Sequence, residues 1–216
     1  MAAPEPVDLA AIPYPWIGYT GYLKSQLDWR LLRELIHSHP EWHFVFVGPR
    51  RPHPEMEASV LALDREPNAH FLGSKRRDEL ATYPQHFDVC MMPYRTDDYT
   101  RHIYPLKLHE FLAAGRPVIA SRISTLEAFA DVVTLAGTPA EWSAAVAAAL
   151  EPAAHAESRR SARQAVARQH DWRIVAGGMA RALASGLGPE VLARLEDVLE
   201  EDHGSASLRS RTQAGR

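Results

Sequence analysis

Residues Arg101–Ser121 read RHIYPLKLHEFLAAGRPVIAS, and this stretch organises the rest of the chain. It predicts a loop, a short helix and a buried strand. Pro105 suits a first helical position, Leu106, Leu108, Phe111 and Leu112 supply an apolar face, and Gly115 is placed to end the helix. Beyond Arg116-Pro117, Val118-Ile119-Ala120 is a short apolar run of the kind found in a central strand.

Two polar side chains interrupt the helix: Lys107 and Glu110, three apart and therefore neighbours on one face. One reading is a surface ion pair worth a few tenths of a kcal/mol. The other is a face that, with the free N–H groups of the first turn, lines a cleft for phosphates and ribose hydroxyls. The helix is short and follows a loop at the end of a strand, where open α/β sheets bind ligands, and this position favours the second reading.

Upstream, Trp16–Gly21 reads as a strand closed by glycine, and Leu27–His37 carries Leu27, Leu31, Leu32, Leu35 and Ile36 at helical spacing. Trp42–Val47 predicts a second strand closed by Gly48-Pro49, followed by a helix over Glu55–Asp64. A third strand over Ala69–Gly73, a helix over Lys75–Tyr83 and a fourth strand at Val89–Met92 complete the first half. Downstream, Ser124–Phe129 predicts a short helix and Val132–Leu135 a sixth strand. Helices follow over Ala140–Leu150, His155–Gln169, Trp172–Ala184 and Glu190–Glu201. Strands alternating with helices in this way predict an α/β fold, a doubly wound Rossmann-like parallel sheet, with C-terminal helices. Residues 1–13, rich in Pro and Ala, are expected to be a linker and 14–185 the folded domain. Residues 186–202 are expected to be an appended helix, and the acid-free, Ser- and Arg-rich segment 203–216 a disordered tail.

The bulk properties narrow the classes of function. The 216 residues, 46% hydrophobic and 24% charged, suffice for one sizeable domain, and a net charge of −3 speaks against general nucleic-acid binding. No run of 18 apolar residues predicts a membrane span, and the N-terminal residues lack a signal-peptide pattern, so the cytoplasm is the expected compartment. Cys90 is the single cysteine and lies in the predicted strand Asp88–Met92, where a packed thiol is expected rather than a nucleophile. The 11 histidines are scattered, and Asp97-Asp98 reads as a solvated loop, so no metal site and no cofactor are expected.

Taken together, several stretches resemble the C-terminal, nucleotide-sugar-binding half of a GT-B glycosyltransferase, close to the family 4 enzymes and their glycosyltransferase family 1 domain. They are Ile17–Gly21, His43–Pro49, Asn68–Gly73, Phe87-Asp88-Val89 with Met92-Pro93-Tyr94, and Pro105–Val118. The resemblance covers residues 14–185, and its most specific part is the last stretch. It implies transfer of a hexosyl unit from a nucleoside diphosphate sugar with retention. It implies that Glu110 accepts hydrogen bonds from the donor ribose and that the Leu106 and Lys107 amides meet the diphosphate, with Pro105 fixing the turn. Lys107 would add positive charge as the leaving diphosphate becomes more negative. Gly73, Ser74 and Lys75 would lie near the base, Gly21 and Tyr22 near the phosphates, and Tyr94 beside the donor.

The chain departs from the family pattern in three places. Counting back from Glu110, the first of the two family glutamates falls on His102, which is still able to bond a sugar hydroxyl or a phosphate. The Arg and Lys of the usual diphosphate clamp fall on Tyr22 and Leu27, leaving Lys24 or Arg101 to substitute. An N-terminal acceptor domain is absent from the sequence. The resemblance therefore leaves open a fragment of a longer enzyme, a split enzyme working with a separate acceptor-binding chain, or a non-catalytic nucleotide-sugar-binding module. Apolar surface near Tyr22, Tyr94 and Tyr104 is expected to be open and to favour self-association.

Overall fold

A computed structural model describes residues 3–50, 54–188, 190, 191, 193 and 194. In chain order the elements are β1 (Trp16–Thr20), α1 (Trp29–Ser38), β2 (His43–Val47), α2 (Pro54–Leu63), β3 (Ala69–Phe71), α3 (Arg77–Leu80), α4 (Tyr83–His86) and β4 (Val89–Met92). They continue with α5 (Lys107–Ala114), β5 (Val118–Ser121), β6 (Thr134–Ala136), α6 (Pro139–Leu150), α7 (Glu157–Gln169) and α8 (Trp172–Leu187). The chain divides into two compact units, residues 1–167 and residues 168–216.

The first unit holds one six-stranded sheet, ordered β3-β2-β1-β4-β5-β6, in which every pairing is parallel. This is the doubly wound α/β architecture expected from the alternation of strands and helices. Parallel strands covered on both faces lose the inside/outside alternation, and β1, β4 and β5 are accordingly buried along their whole length. The chain runs outward from β1 through β2 to β3, then returns to the other side of β1 as β4. The order thus reverses between β1 and β4, and the carboxyl ends of these two strands border a crevice.

Several local boundaries differ from expectation, each for a physical reason. The segment expected to be a linker is part of the core: Leu9 and Ile12 are buried with it, and Asp8 pairs with Lys75 at 2.7 Å and accepts from the Tyr83 phenol at 2.8 Å. Two apolar anchors among prolines and alanines are enough to pin it. The helix expected over Lys75–Tyr83 is two single turns, because Pro84 has no N–H to carry a continuous ladder across. Leu27 lies outside α1 and bridges to Tyr94, while Asp28 caps the helix by accepting from the Leu31 amide at 2.9 Å. β6 starts later than expected because the amides of Val132 and Val133 both turn back to the Phe129 carbonyl. α8 runs through to Leu187, so the appended helix does not begin at 186; the rest of that expected helix lies largely, and the expected tail entirely, outside the described residues. No helix among the described residues is long and apolar enough to cross a membrane.

Candidate functional site

The crevice at the sheet reversal is built from the loops after β1 and β4. Those loops are laced together: the Asp28 amide donates to the Pro93 carbonyl at 2.7 Å and the Arg95 amide to the Gln26 carbonyl at 2.8 Å. Next to them, Gly21 donates to Val47 and Gly48 to Gly73, each at 2.8 Å, so the turns after β1, β2 and β3 form one backbone-lined rim. Glycine is required here. Gly48 has φ 147°, and a Cβ on it would stand 2.1 Å from the Gly21 carbonyl oxygen. Gly21, at φ 126°, would press a Cβ to within 2.8 Å of the Lys107 ammonium. The glycine turn after β1 and the start of α5, more than eighty residues apart in sequence, are therefore in direct contact.

α5 presents the polar pair. Its apolar face, Leu108, Phe111 and Leu112, is buried, and Gly115 ends it with a left-handed residue at φ 76°. The helix begins two residues later than Pro105 suggested, yet the consequence for its first turn is the one expected. The amides of Leu108 and His109 go to the carbonyls of Pro105 and Leu106, and those of Leu106 and Lys107 have no backbone acceptor among the described residues. Lys107 is mostly buried, its ammonium 3.3 Å from a Glu110 carboxylate oxygen and 5.7 Å from the ring centroids of both Tyr19 and Phe111. The ammonium is thus held by a glycine, two aromatic faces and one carboxylate, while Glu110 itself is well exposed.

Beside Glu110 a cleft of about 520 Å³ opens, with Thr20 at the end of β1, Leu80 and Pro84 as apolar wall, and Arg77 and Arg160 at its edges. Its size lies in the range of small-ligand sites. Its combination of an apolar wall, a carboxylate and two guanidinium groups can take a flat, polar-edged molecule carrying hydroxyls and negative charge.

The remaining predicted residues divide between rim and interior. Gly73 and Ser74 are exposed on the rim, and Tyr22 is exposed beside Gly21. Lys75 is engaged by Asp8. Lys24 is half-buried, its carbonyl accepting from the Trp29 indole at 3.1 Å. Tyr94 departs from expectation: its ring is buried, so it supports the floor of the crevice and is not part of the open surface, while the Tyr19 phenol beside it donates to the Tyr22 carbonyl at 3.3 Å. Burial is the largest cause raising both phenols above their ordinary values, with Glu110 adding to it, so they stay neutral. His102 is exposed on the 3-10 turn Thr100–His102, with no hydrogen bond or ion pair to Lys107 or Glu110 among the described residues. In the same loop, Asp97 accepts from the Thr100 amide at 2.8 Å and so shapes the turn, while Asp98 is exposed and makes a surface ion pair with Arg101. Cys90 is wholly buried, and burial pushes its thiol far above the usual range.

Sequence reading missed Tyr19, Arg77 and Arg160. For Phe111 as a wall of the Lys107 site a signal existed, the i, i+4 spacing from Lys107. For Tyr19 there was none, since its ring meets the lysine across a long separation in sequence.

Comparison with known proteins agrees with this architecture. The family model "Glycosyl transferases group 1" matches residues 15–152. The glycosyltransferase TuaH of Bacillus subtilis (strain 168), named for teichuronic acid biosynthesis, is 35% identical over 107 residues, 50% of this chain and 26% of the relative. Among solved structures, an α,α-trehalose-phosphate synthase (UDP-forming) from Burkholderia vietnamiensis matches with TM-score 0.62 and 17% identity, over 80% of this chain and 45% of that one. Anabaena Alr3699/HepE, solved with UDP and glucose, matches with TM-score 0.56 and 15% identity, over 86% and 48%. The chain therefore spans about a quarter of its curated relative and under half of these structures, and corresponds to one half of the GT-B fold. With all six strands, α5 and the glycine turns inside the matched region, the chain belongs to the glycosyl transferases group 1 family.

Proposed function

We propose that this chain is the donor-binding half of a retaining glycosyltransferase, moving a hexosyl unit from a nucleoside diphosphate sugar to an acceptor held by a separate domain or chain. The observation that carries this reading is the meeting of Gly21, Lys107 and Glu110 at the sheet reversal, beside a cleft of nucleoside size. The solved relative carrying UDP and glucose supports the donor class.

In this reading the ribose hydroxyls donate to the exposed Glu110 carboxylate, which accepts two at once and keeps one oxygen clear of Lys107. The diphosphate lies across the free amides of Leu106 and Lys107, where the helix start favours negative charge. The glycine rim lets the backbone come close. Lys107, screened from water by Tyr19 and Phe111, stabilises the charge that grows on the leaving diphosphate, an interaction stronger in the transition state than in the ground state. The leaving phosphate itself receives the acceptor proton, so no further acid/base pair is needed. The donor is a substrate, and neither cofactor nor metal is invoked. His102, Lys24 and the rim residues Tyr22, Gly73 and Ser74 make secondary contacts. The cytoplasmic compartment belongs to the same proposal.

Calorimetric titration of the chain with UDP, GDP and ADP, then with the matching sugar nucleotides, tests the reading. One nucleotide should bind, and Glu110→Ala should weaken it by about 1–3 kcal/mol through the lost ribose bonds. Unchanged affinity in a folded Glu110→Ala protein would remove the assignment. The second reading, a binding module without catalysis, is favoured by His102, Tyr22 and Leu27 standing where the family carries charged groups. Release of sugar from a bound donor by this chain would exclude it.

A further inference from the structure

The Leu106 and Lys107 amides stand at the far end of the long loop that leaves β4 after Met92 and enters α5. The first part of that loop is tied to the loop after β1, the Arg95 amide donating to the Gln26 carbonyl. The last part, residues 101–106, is tied elsewhere. Its side-chain partners come from the 3-10 turn Ser124–Phe129, which follows β5. The Ser124 hydroxyl donates to the Arg101 carbonyl at 2.8 Å and the Thr125 hydroxyl to the Ile103 carbonyl at 2.7 Å. Beyond Ile103, a hydrogen bond of 2.6 Å joins the Tyr104 phenol to His109 Nε2. Both rings stand against Phe129, their centroids 6.3 and 5.6 Å from its own. Leu126 and Phe129 are buried in the core, so the turn is a fixed base.

These contacts determine where the two amides point. A peptide unit is planar, so holding the Ile103 carbonyl holds the amide plane that enters Tyr104. Tyr104 is gripped through its ring, and Pro105 is buried with its φ set by the pyrrolidine. Leu106 follows in helical geometry, at φ −53° and ψ −25°. Few backbone rotations therefore remain free between Ile103 and Lys107, and the two N–H groups are aimed before a ligand arrives. Donors aimed in advance stabilise growing charge without reorganising, whereas the same donors on a loose loop must first be ordered.

Resting on the donor reading above, we propose that the turn Ser124–Phe129 positions the amides that receive the diphosphate. Ser124, Thr125, Tyr104 and His109 are its positioning residues, and they act through the loop backbone. The effect belongs to the phosphates. Glu110 lies a turn into α5 with its carboxylate exposed, so its contact with the ribose does not depend on how the loop is held.

Calorimetry on the full 216-residue chain first identifies which of UDP, GDP and ADP binds, and the matching nucleoside is then titrated by two-dimensional NMR. Thr125→Val removes the hydroxyl and keeps the side-chain shape. Its affinity for the nucleoside diphosphate should fall about tenfold, with affinity for the nucleoside within about twofold of wild type. Thr125→Ser, which keeps the hydroxyl, should restore the wild-type value. Tyr104→Phe should lower diphosphate affinity by about three- to tenfold with the same split. The Leu106 and Lys107 amide protons should move downfield when the diphosphate binds, and move less in Thr125→Val. Ser124→Ala, at an exposed position, should lose roughly threefold and carries the test if Thr125→Val does not fold. Folded variants that bind the diphosphate as the wild type does, or that lose diphosphate and nucleoside alike, overturn the proposal and leave the donor site standing. A wild-type chain that binds none of these nucleotides overturns the donor reading, and this inference with it.

Discussion

α5 and α8 are both amphipathic helices, and their apolar rows meet opposite fates. In α5 the row Leu108, Phe111 and Leu112 is wholly inside, closed over by the sheet. In α8 a longer row, from Trp172 to Leu187, is mostly in water. Helical periodicity thus specifies that a face exists and leaves its partner unspecified. The polar faces diverge in the same way. α5 aims Lys107 at a glycine turn and two aromatic rings, whereas Arg173 and Arg181 of α8 are exposed.

The contrast can be broken most directly by truncating one side chain in each helix. Phe111→Ala should lower unfolding free energy by about 3–5 kcal/mol in denaturant titration, while Leu183→Ala under the same conditions, at a concentration where the chain is monomeric, should stay within about 0.5 kcal/mol. Equal losses would mean that α8 is as well packed as α5. Next in size, Gly48→Ala should destabilise by about 1–3 kcal/mol, because it forces an alanine to φ 147° with a backbone carbonyl in the way, whereas Gly186→Ala in α8 should stabilise slightly. Lys107→Met is a sharper probe of the polar face. Nucleotide affinity should fall about tenfold or more in calorimetry and lose part of its salt dependence, with little change in stability, since the partner carboxylate is well exposed.

The smallest effect is expected at the opposite end of the sheet. His43 and His70 are hydrogen-bonded ring to ring at 2.9 Å, and burial lowers both below the ordinary value of 6.5, with their mutual repulsion adding to it for His70. Both bind protons more weakly folded than unfolded. Their contribution to stability is therefore complete above about pH 6.5 and declines as the pH falls through that value toward their lowered folded values. A melting temperature that drops between pH 7.5 and 5.5, and drops less in His70→Phe, is the expected observation. α8 has no group that titrates in this interval.

Much of the first unit was legible in the sequence. Most strand runs were apolar and short, glycine closed the turns after the first three, and the Lys107/Glu110 pair interrupted an otherwise apolar helix at a position that already suggested a cleft. Less legible was anything decided by distant packing. Leu9 and Ile12 sit in a proline-rich stretch with no period, and only the core shows where they go. Tyr94 looked like a surface aromatic beside the donor, and its burial follows from the bridge between the loops after β1 and β4. His102 was placed by counting residues back from Glu110, which carries no information about where a 3-10 turn directs a side chain.

The sequence by itself determined the kinds of element, their order and the face each helix turns inward, because these depend on spacing along a chain whose local geometry has fixed periods. Tertiary structure alone decided that Gly21 touches Lys107, that Tyr19 walls the ammonium, and that Tyr94 is buried. Those outcomes depend on which surfaces meet in three dimensions, and burial of apolar area is non-directional: it rewards any partner of the right shape and names none in advance.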